Sequence, residues 1–212
     1  MLAVMAAVLI NIMQTSAGAD GATSGPLPAH WTVYPYPPRG PTDGIPSSIT
    51  ESSSLRFFNH FLHGGNRSWS RDGHSSLRIL VAGAGTGDAT LEFAAQISQA
   101  NGGCGLRGAQ VVHFEQSVAS AKLARQRVEH FGLEQWVTFV VGDLRAATEL
   151  LGGFGRFDII NFVGVLHHIP EPSQLPVLRK LSSLLRDDGG MLLMVYGKHG
   201  RNGVDSRCWP WC

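Results

Sequence analysis

From residue 77 onward the apolar positions follow two alternating rhythms. Short, continuously apolar runs occur at LRILVA (77–82), QVVHFE (110–115), WVTFVV (136–141), FDIINFV (157–163) and MLLMVY (191–196). Each reads as a strand buried on both faces. Between them, apolar residues recur every three or four positions, the spacing of helices with one buried face. The pattern predicts a helix over about 88–100. A second is capped by Ser117, carries Val118, Ala121, Ala124, Val128 and Phe131 on one face, and stops at Gly132. A short helix is expected around 145–151. A further one is capped by Ser173, with Pro176 in its first turn, Leu175, Leu178, Leu181 and Leu185 facing inward, and DDGG as its end. Upstream, SLRFFNHFLHGG (54–65) predicts a short amphipathic helix with Leu55, Phe58 and Leu62 on one side, closing at Gly64 and Gly65.

Apolar strands alternating with helices define an α/β fold, a doubly wound, mainly parallel sheet with helices on both faces. Five strands are visible. The segments fall into an apolar N-terminal stretch (1–19), a Gly/Ser/Pro-rich arm (20–54), the α/β domain (55–200) and a tail (201–212) whose DSRCWPWC shows no strand alternation. Within the arm, YPYPPRGP (34–41) reads as a rigid spacer, with a docking ligand for another domain as the alternative. Tyr34, Tyr36 and Arg39 fold over a site as a lid in one reading and lie in a solvated linker in the other. MLAVMAAVLINIM has signal-peptide length and is followed by the small residues Ala17-Gly18-Ala19, but no Lys or Arg precedes it. A cytoplasmic protein with an untargeted extension and a secreted or targeted protein both remain open. The run is short for a membrane span.

Composition narrows the classes. Hydrophobic residues make up 43% of the 212, enough for a sizeable core. The net charge of +1 gives no bulk reason for a nucleic-acid partner. Three cysteines, Cys104, Cys208 and Cys212, without C-x-x-C pairs, support neither a zinc site nor a disulfide framework.

In such sheets ligands sit beyond the carboxyl ends of the strands. Those positions hold Gly83-Ala84-Gly85-Thr86-Gly87, Glu115, Gly142-Asp143, and Gly164 with His167-His168. A triphosphate loop needs G-x-x-x-x-G-K-S/T, and no lysine follows the glycines. A dinucleotide fingerprint, G-x-G-x-x-G, fails at Asp88, a carboxylate where pyrophosphate charge would lie, although Ala89 one step later keeps that reading open. Asp88 at the helix start is read as a favourable partner of the helix dipole. S-adenosylmethionine has no phosphate. It needs close backbone approach at its amino-acid portion, an acceptor for its ribose hydroxyls and a polar group at the adenine amine. Gly85 and Gly87 remove side chains where backbone must approach. Glu115 offers two oxygens for the ribose, and Asp143 an acceptor for the amine with Leu144 against the ring.

The set VAGAGTG, VVHFEQS, VGDL and FDIINFVGVLHHIPEP resembles the class I (Rossmann-like) S-adenosylmethionine-dependent methyltransferases over about residues 77–200. The resemblance implies that Gly83, Ala84, Gly85, Thr86 and Gly87 surround the methionine portion. It places Glu115 and Gln116 at the ribose, Asp143 and Leu144 at the adenine, and Asn161 to Val165, Val163 among them, as a floor near the sulfonium. His168 is named as an acceptor-side catalytic candidate. The acidic residue that the family often carries two positions before the first glycine is here Val81. The family's fold has seven strands, so the chain reads as C-terminally truncated, with an unpaired fifth strand open to self-association. A methyltransferase acting on a small molecule or protein is the leading expectation. A truncated, non-catalytic S-adenosylmethionine-binding or interaction protein is the alternative, and an NAD(P)-dependent oxidoreductase stands behind both. No NPPY-type tetrapeptide follows the fourth strand and no basic stripe marks an RNA surface.

Overall fold

A computed structural model describes residues 34–46, 53–66, 77–100 and 106–195. The N-terminal apolar run, the three cysteines and the C-terminal tail lie outside the described residues. After helix α1 (Leu55–His63), the chain alternates β1 (Arg78–Ala82), α2 (Asp88–Gln99), β2 (Gln110–Glu115), α3 (Val118–His130), β3 (Val137–Val141), α4 (Ala147–Leu151), β4 (Phe157–Val163), α5 (Glu171–Ser183) and β5 (Leu185–Met194). The strands form one parallel sheet in the order β3-β2-β1-β4-β5. The chain winds outward from β1 to β3, then returns to place β4 on the other side of β1. That reversal, between β1 and β4, is the topological switch point.

Period-two alternation divides the strand side chains between two cores. Ile79, Val81, Val111, Ile159 and Leu192 pack with Leu55 and Phe58 of α1 and with Leu91, Phe93, Ala94 and Ile97 of α2. Leu80, Ala82, Val112, Phe114, Ile160 and Phe162 meet Ala147, Leu151, Val177 and Leu181 from α4 and α5 on the opposite face. The expected doubly wound α/β architecture is present. β3 is half-buried rather than fully buried because it forms an edge of the sheet.

Several local expectations are corrected. On α3 the inward residues are Ala121, Ala124, Arg127 and Val128, while Val118 and Phe131 point outward. An arginine takes a core position there because its guanidinium finds a carboxylate and three carbonyls, described below. Helix α5 starts at Glu171 with Pro170 as its cap residue. Ser173 is buried inside it, so Pro176 falls beyond the first turn, Leu175 is exposed and Leu185 already belongs to β5.

Asp187-Asp188-Gly189-Gly190 does not end a helix; it bulges within β5. Phe157 pairs with Leu185 and Ile159 with Gly190, so β5 advances five residues while β4 advances two. A Cβ on Gly189 would lie 2.8 Å from Asp158 O, and one on Gly190 would collide with Leu62 of α1. The two glycines let the bulged backbone lie against β4 and under α1.

Candidate functional site

The loop after β1 is tied to the neighbouring strand. Gly83 N and Ala84 N both donate to Phe114 O, at 2.8 and 3.1 Å, and Gly85 N donates to Glu115 Oε2 at 2.8 Å. Each missing side chain makes room for protein. A Cβ on Gly83 would lie 2.6 Å from Val165, one on Gly85 would strike Tyr36 O, and one on Gly87 would lie 2.9 Å from the Ala124 Cβ on α3. Gly85 and Gly87 have φ of 54° and 93°, left-handed backbone that disfavours side chains.

A cavity of about 350 Å³ opens at the carboxyl ends of the strands, beside the switch point, a volume within the range of small-molecule sites. It brings together Gly83, Ala84, Gly85, Glu115, Gln116, Asp143, Leu144, Asn161, Val163 and His168. Thr86 and Gly87 do not line it. Thr86 is fully buried, its N–H and hydroxyl directed at the arm, and Gly87 packs against α3.

Glu115 ends β2 with its side chain almost wholly buried. Its Oε1 accepts Ser117 N and its Oε2 accepts Gly85 N, each at 2.8 Å. Burial raises its pKa, opposed by the backbone N–H groups of Ser117, Gly85 and Gln116. Each carboxylate oxygen can accept a further bond, and the residue faces the cavity.

Asp143 follows β3 and caps the turn after it by accepting Arg145 N at 2.8 Å. Arg145 folds back on the same carboxylate, with Nε 3.0 Å from both oxygens and Nη2 2.5 Å from Oδ2. Burial works against ionisation of Asp143, but the hydrogen bonds and charge of Arg145 outweigh it and hold the carboxyl below its usual range. Asn161 on β4 is buried, its Nδ2 3.4 Å from Ser53 Oγ, and both residues reach the cavity wall. His168 closes a 3₁₀ turn after β4, its ring 4.0 Å from that of His167 between centroids.

The arm, which the sequence allows as either a lid or a solvated linker, lies on the site. Thr86 N donates to Tyr36 O at 3.0 Å, Thr86 Oγ1 to Pro37 O at 2.8 Å, and Tyr36 N to Ser120 Oγ at 3.1 Å. Tyr36, Pro37 and Arg39 line the cavity, while Tyr34 is exposed. Arg39 grips Asp88 through Nε (3.1 and 3.2 Å) and Nη2 (2.8 Å). From behind, Arg127 Nη1 meets Asp88 at 2.7 Å and Thr86 O at 2.8 Å. Its Nε and Nη2 reach Asp43 O, and Nη2 also reaches Gly44 O. Asp88 is therefore more than a helix-dipole partner; it joins arm, loop and helix. Sequence reading missed Arg127, although an arginine amid Ala121, Ala124 and Val128 was the available signal.

Among the described residues no group of three or more His, Cys, Asp or Glu is placed to hold a metal, and no helix is long and apolar enough to cross a membrane.

A parallel doubly wound sheet with a glycine loop, a strand-end carboxylate and a cavity at its switch point is an α/β fold of the Rossmann-like class. Residues 80–192, more than half of the chain, match the family described as "Methyltransferase domain", and the chain belongs to that family. An uncharacterized protein of Synechococcus sp. is 29% identical over 173 residues, covering 82% of this chain but 37% of its own length. The chain thus spans little more than a third of that curated relative. Among solved structures, the N-terminal domain of EvdMO1 with SAH bound aligns with a TM-score of 0.48 at 20% identity, over 66% of this chain and 48% of that one. An O-methyltransferase family protein from Burkholderia thailandensis aligns with a TM-score of 0.47 at 14% identity, over 66% and 34%.

Proposed function

We propose that the protein binds S-adenosylmethionine in the strand-end cavity and is an S-adenosylmethionine-dependent methyltransferase whose acceptor, a small molecule or a protein, is not yet identified. Family membership supports the reaction class. The observation that carries the cofactor is Glu115: a buried carboxylate, braced by two backbone amides, that presents its remaining acceptor capacity to the cavity. A vicinal ribose diol fits such a group, since each hydroxyl donates to one oxygen.

The other residues take complementary parts. Asp143 and Leu144 fit the adenine end, with Arg145 sharing the carboxylate. Gly83, Ala84 and Gly85 give a low backbone wall beside the amino-acid portion, with Thr86 and Gly87 shaping that wall from outside the cavity. Gln116 stands next to the ribose position. Asn161 and Val163 bound the cavity near the sulfonium, and His168 stands on the acceptor side, where an imidazole can take a proton from an incoming nucleophile. S-adenosylmethionine supplies a methyl already activated by positively charged sulfur. The chain's task is therefore mainly to orient the ligand and keep water out. The arm across the glycine loop serves both ends.

Calorimetry with S-adenosylmethionine, S-adenosylhomocysteine and NADH tests this. Binding of the two sulfur nucleosides without NADH is the expected result. A folded protein that binds neither nucleoside sinks the reading, and tight NADH binding replaces it with an oxidoreductase.

A further inference from the structure

Two arginines line the cavity, at its two ends. In the sheet order β3-β2-β1, Asp143, Glu115 and the glycine loop stand in sequence along the strand ends, and Asp88 begins α2 just past the loop. Arg145 is turned back on Asp143 at the first end. Arg39, carried by the arm, stands at the other, against Asp88.

Direct ion pairing at that second end sets two guanidinium groups against one carboxylate. Arg39 and Arg127 share the single carboxylate of Asp88, and the remaining contacts of Arg127 go to the neutral carbonyls of Thr86, Asp43 and Gly44. Asp43 offsets part of the excess from the exposed side of the arm, where its carboxylate accepts Gly40 N. A guanidinium carries five N–H donors. Arg39 directs Nε and Nη2 to Asp88 and Nη1 to Pro38 O at 3.2 Å. One hydrogen on each Nη is left without an acceptor among the described residues, on a group that is 26% exposed and lines the cavity. A pair of Nη hydrogens on a planar fork matches a carboxylate.

We propose that Arg39 receives the carboxylate of the ligand's amino-acid tail, making the arm the element that selects adenosine derivatives bearing such a tail over those that lack it. This rests on the S-adenosylmethionine reading of the same cavity. Because Tyr36 O and Pro37 O hold the Thr86 amide and hydroxyl, Arg39 reaches the site only when the arm is docked. Tail recognition and arm docking are one event, and Arg39 is a specificity residue rather than a catalytic one.

The test is calorimetry of the full chain with S-adenosylhomocysteine and with 5′-methylthioadenosine, which keeps the nucleoside and lacks the amino-acid tail. Arg39→Ala is expected to weaken S-adenosylhomocysteine about tenfold to a hundredfold, the worth of a charge-assisted pair, and to leave 5′-methylthioadenosine within about twofold. Arg39→Lys, which keeps the charge without the fork, should fall between. Equal weakening of both ligands, or no weakening of either, overturns the proposal. Should Arg39→Ala fail to fold, the unaltered protein reads the same contact with the carboxamide of S-adenosylhomocysteine. Undiminished affinity for that amide overturns the proposal as well. Failure of the unaltered protein to bind either nucleoside would instead sink the cofactor reading beneath it.

Discussion

Arg127 Nη1 lies 2.7 Å from Asp88 Oδ1, joining a fully buried guanidinium on α3 to the first residue of α2. The same guanidinium reaches carbonyls of the glycine loop and of the arm, so one side chain fastens three segments distant in sequence. Removing one partner of a buried ion pair leaves the other uncompensated and costs about 3–5 kcal/mol. Arg39 still pairs with Asp88 in Arg127→Leu, so that change is expected to lower unfolding free energy by about 3 kcal/mol, the low end of this range, in urea titrations. Arg127→Leu combined with Asp88→Leu should lose less than the sum of the single changes, because no fully buried charge is then left unpaired, and Arg39, which also loses Asp88, is partly open to solvent. Strict additivity would show that the pair is not coupled.

Glu115 links the loop to the ligand. Glu115→Ala removes the acceptor of Gly85 N and Ser117 N along with the proposed ribose contacts. Affinity for S-adenosylhomocysteine should fall by at least about a hundredfold, since hydrogen bonds to charged groups contribute roughly 1.5–3 kcal/mol each. Burial raises the Glu115 pKa, so above the usual value of 4.5 the folded state holds a proton that the unfolded chain has released. Stability from this group therefore falls as pH rises from 4.5 to the raised pKa. Ligand affinity should do the reverse, weakening as pH falls through the raised pKa, because the protonated carboxyl loses acceptor capacity. Glu115→Gln should flatten both profiles in that window; profiles that keep their slope would place the titration elsewhere.

Asp143 carries the base assignment. Its carboxylate accepts from Arg145, and an adenine amine would share those oxygens. S-inosylhomocysteine replaces that amine with a carbonyl and sets acceptor against acceptor. The protein should prefer S-adenosylhomocysteine by at least about tenfold, the scale of a site built to receive a donor. Asp143→Asn, whose amide can donate, should shrink the preference. An unchanged preference would remove Asp143 from the adenine end.

His113 sits at the centre of β2, fully buried, with Nδ1 2.9 Å from Thr90 Oγ1. Burial, helped by the positive charge of Arg125, pushes its pKa down to about 3. Between 6.5 and about 3 the unfolded chain binds a proton that the folded protein refuses, so stability falls with falling pH across this window. The slope is about 1.4 kcal/mol per pH unit once the unfolded histidine is protonated. Urea titrations at several pH values should show this slope diminished in His113→Leu, whatever that variant's stability near neutrality.

The sheet was legible because parallel strands buried on two faces leave uninterrupted apolar runs, and FDIINFV coincides with β4 from end to end. The strand-end rule then placed Glu115, Asp143 and the loop near one another. Much of the remainder depends on contacts that local pattern does not encode. Tyr36 meets Ser120 across 84 positions, and Arg39 meets Asp88 across 49. Arg127 reads as a surface residue until its partners are known, and DDGG reads as the end of a helix although a bulge holds it in register with β4. Local chemistry also misplaced the start of α5, since Ser173 is a plausible cap by type but Pro170 occupies that position.

The glycine loop makes the division between ligand and scaffold testable. VAGAGTG offers three glycines of equal appearance, but only Gly83 and Gly85 border the cavity. Gly87, at φ 93°, caps α2 and lets it approach Ala124 on α3. An alanine there must adopt a left-handed backbone and push a methyl to 2.9 Å from the Ala124 Cβ. Strain and overpacking each cost about 1–3 kcal/mol. Gly87→Ala should therefore lower unfolding free energy by several kcal/mol while the protein that remains folded binds S-adenosylhomocysteine within about threefold of the original, a difference worth less than 1 kcal/mol. Ala124→Gly in the same chain relieves the contact but not the backbone strain, so it should restore part of the loss. A Gly87→Ala protein of normal stability and weakened affinity would instead put Gly87 against the ligand.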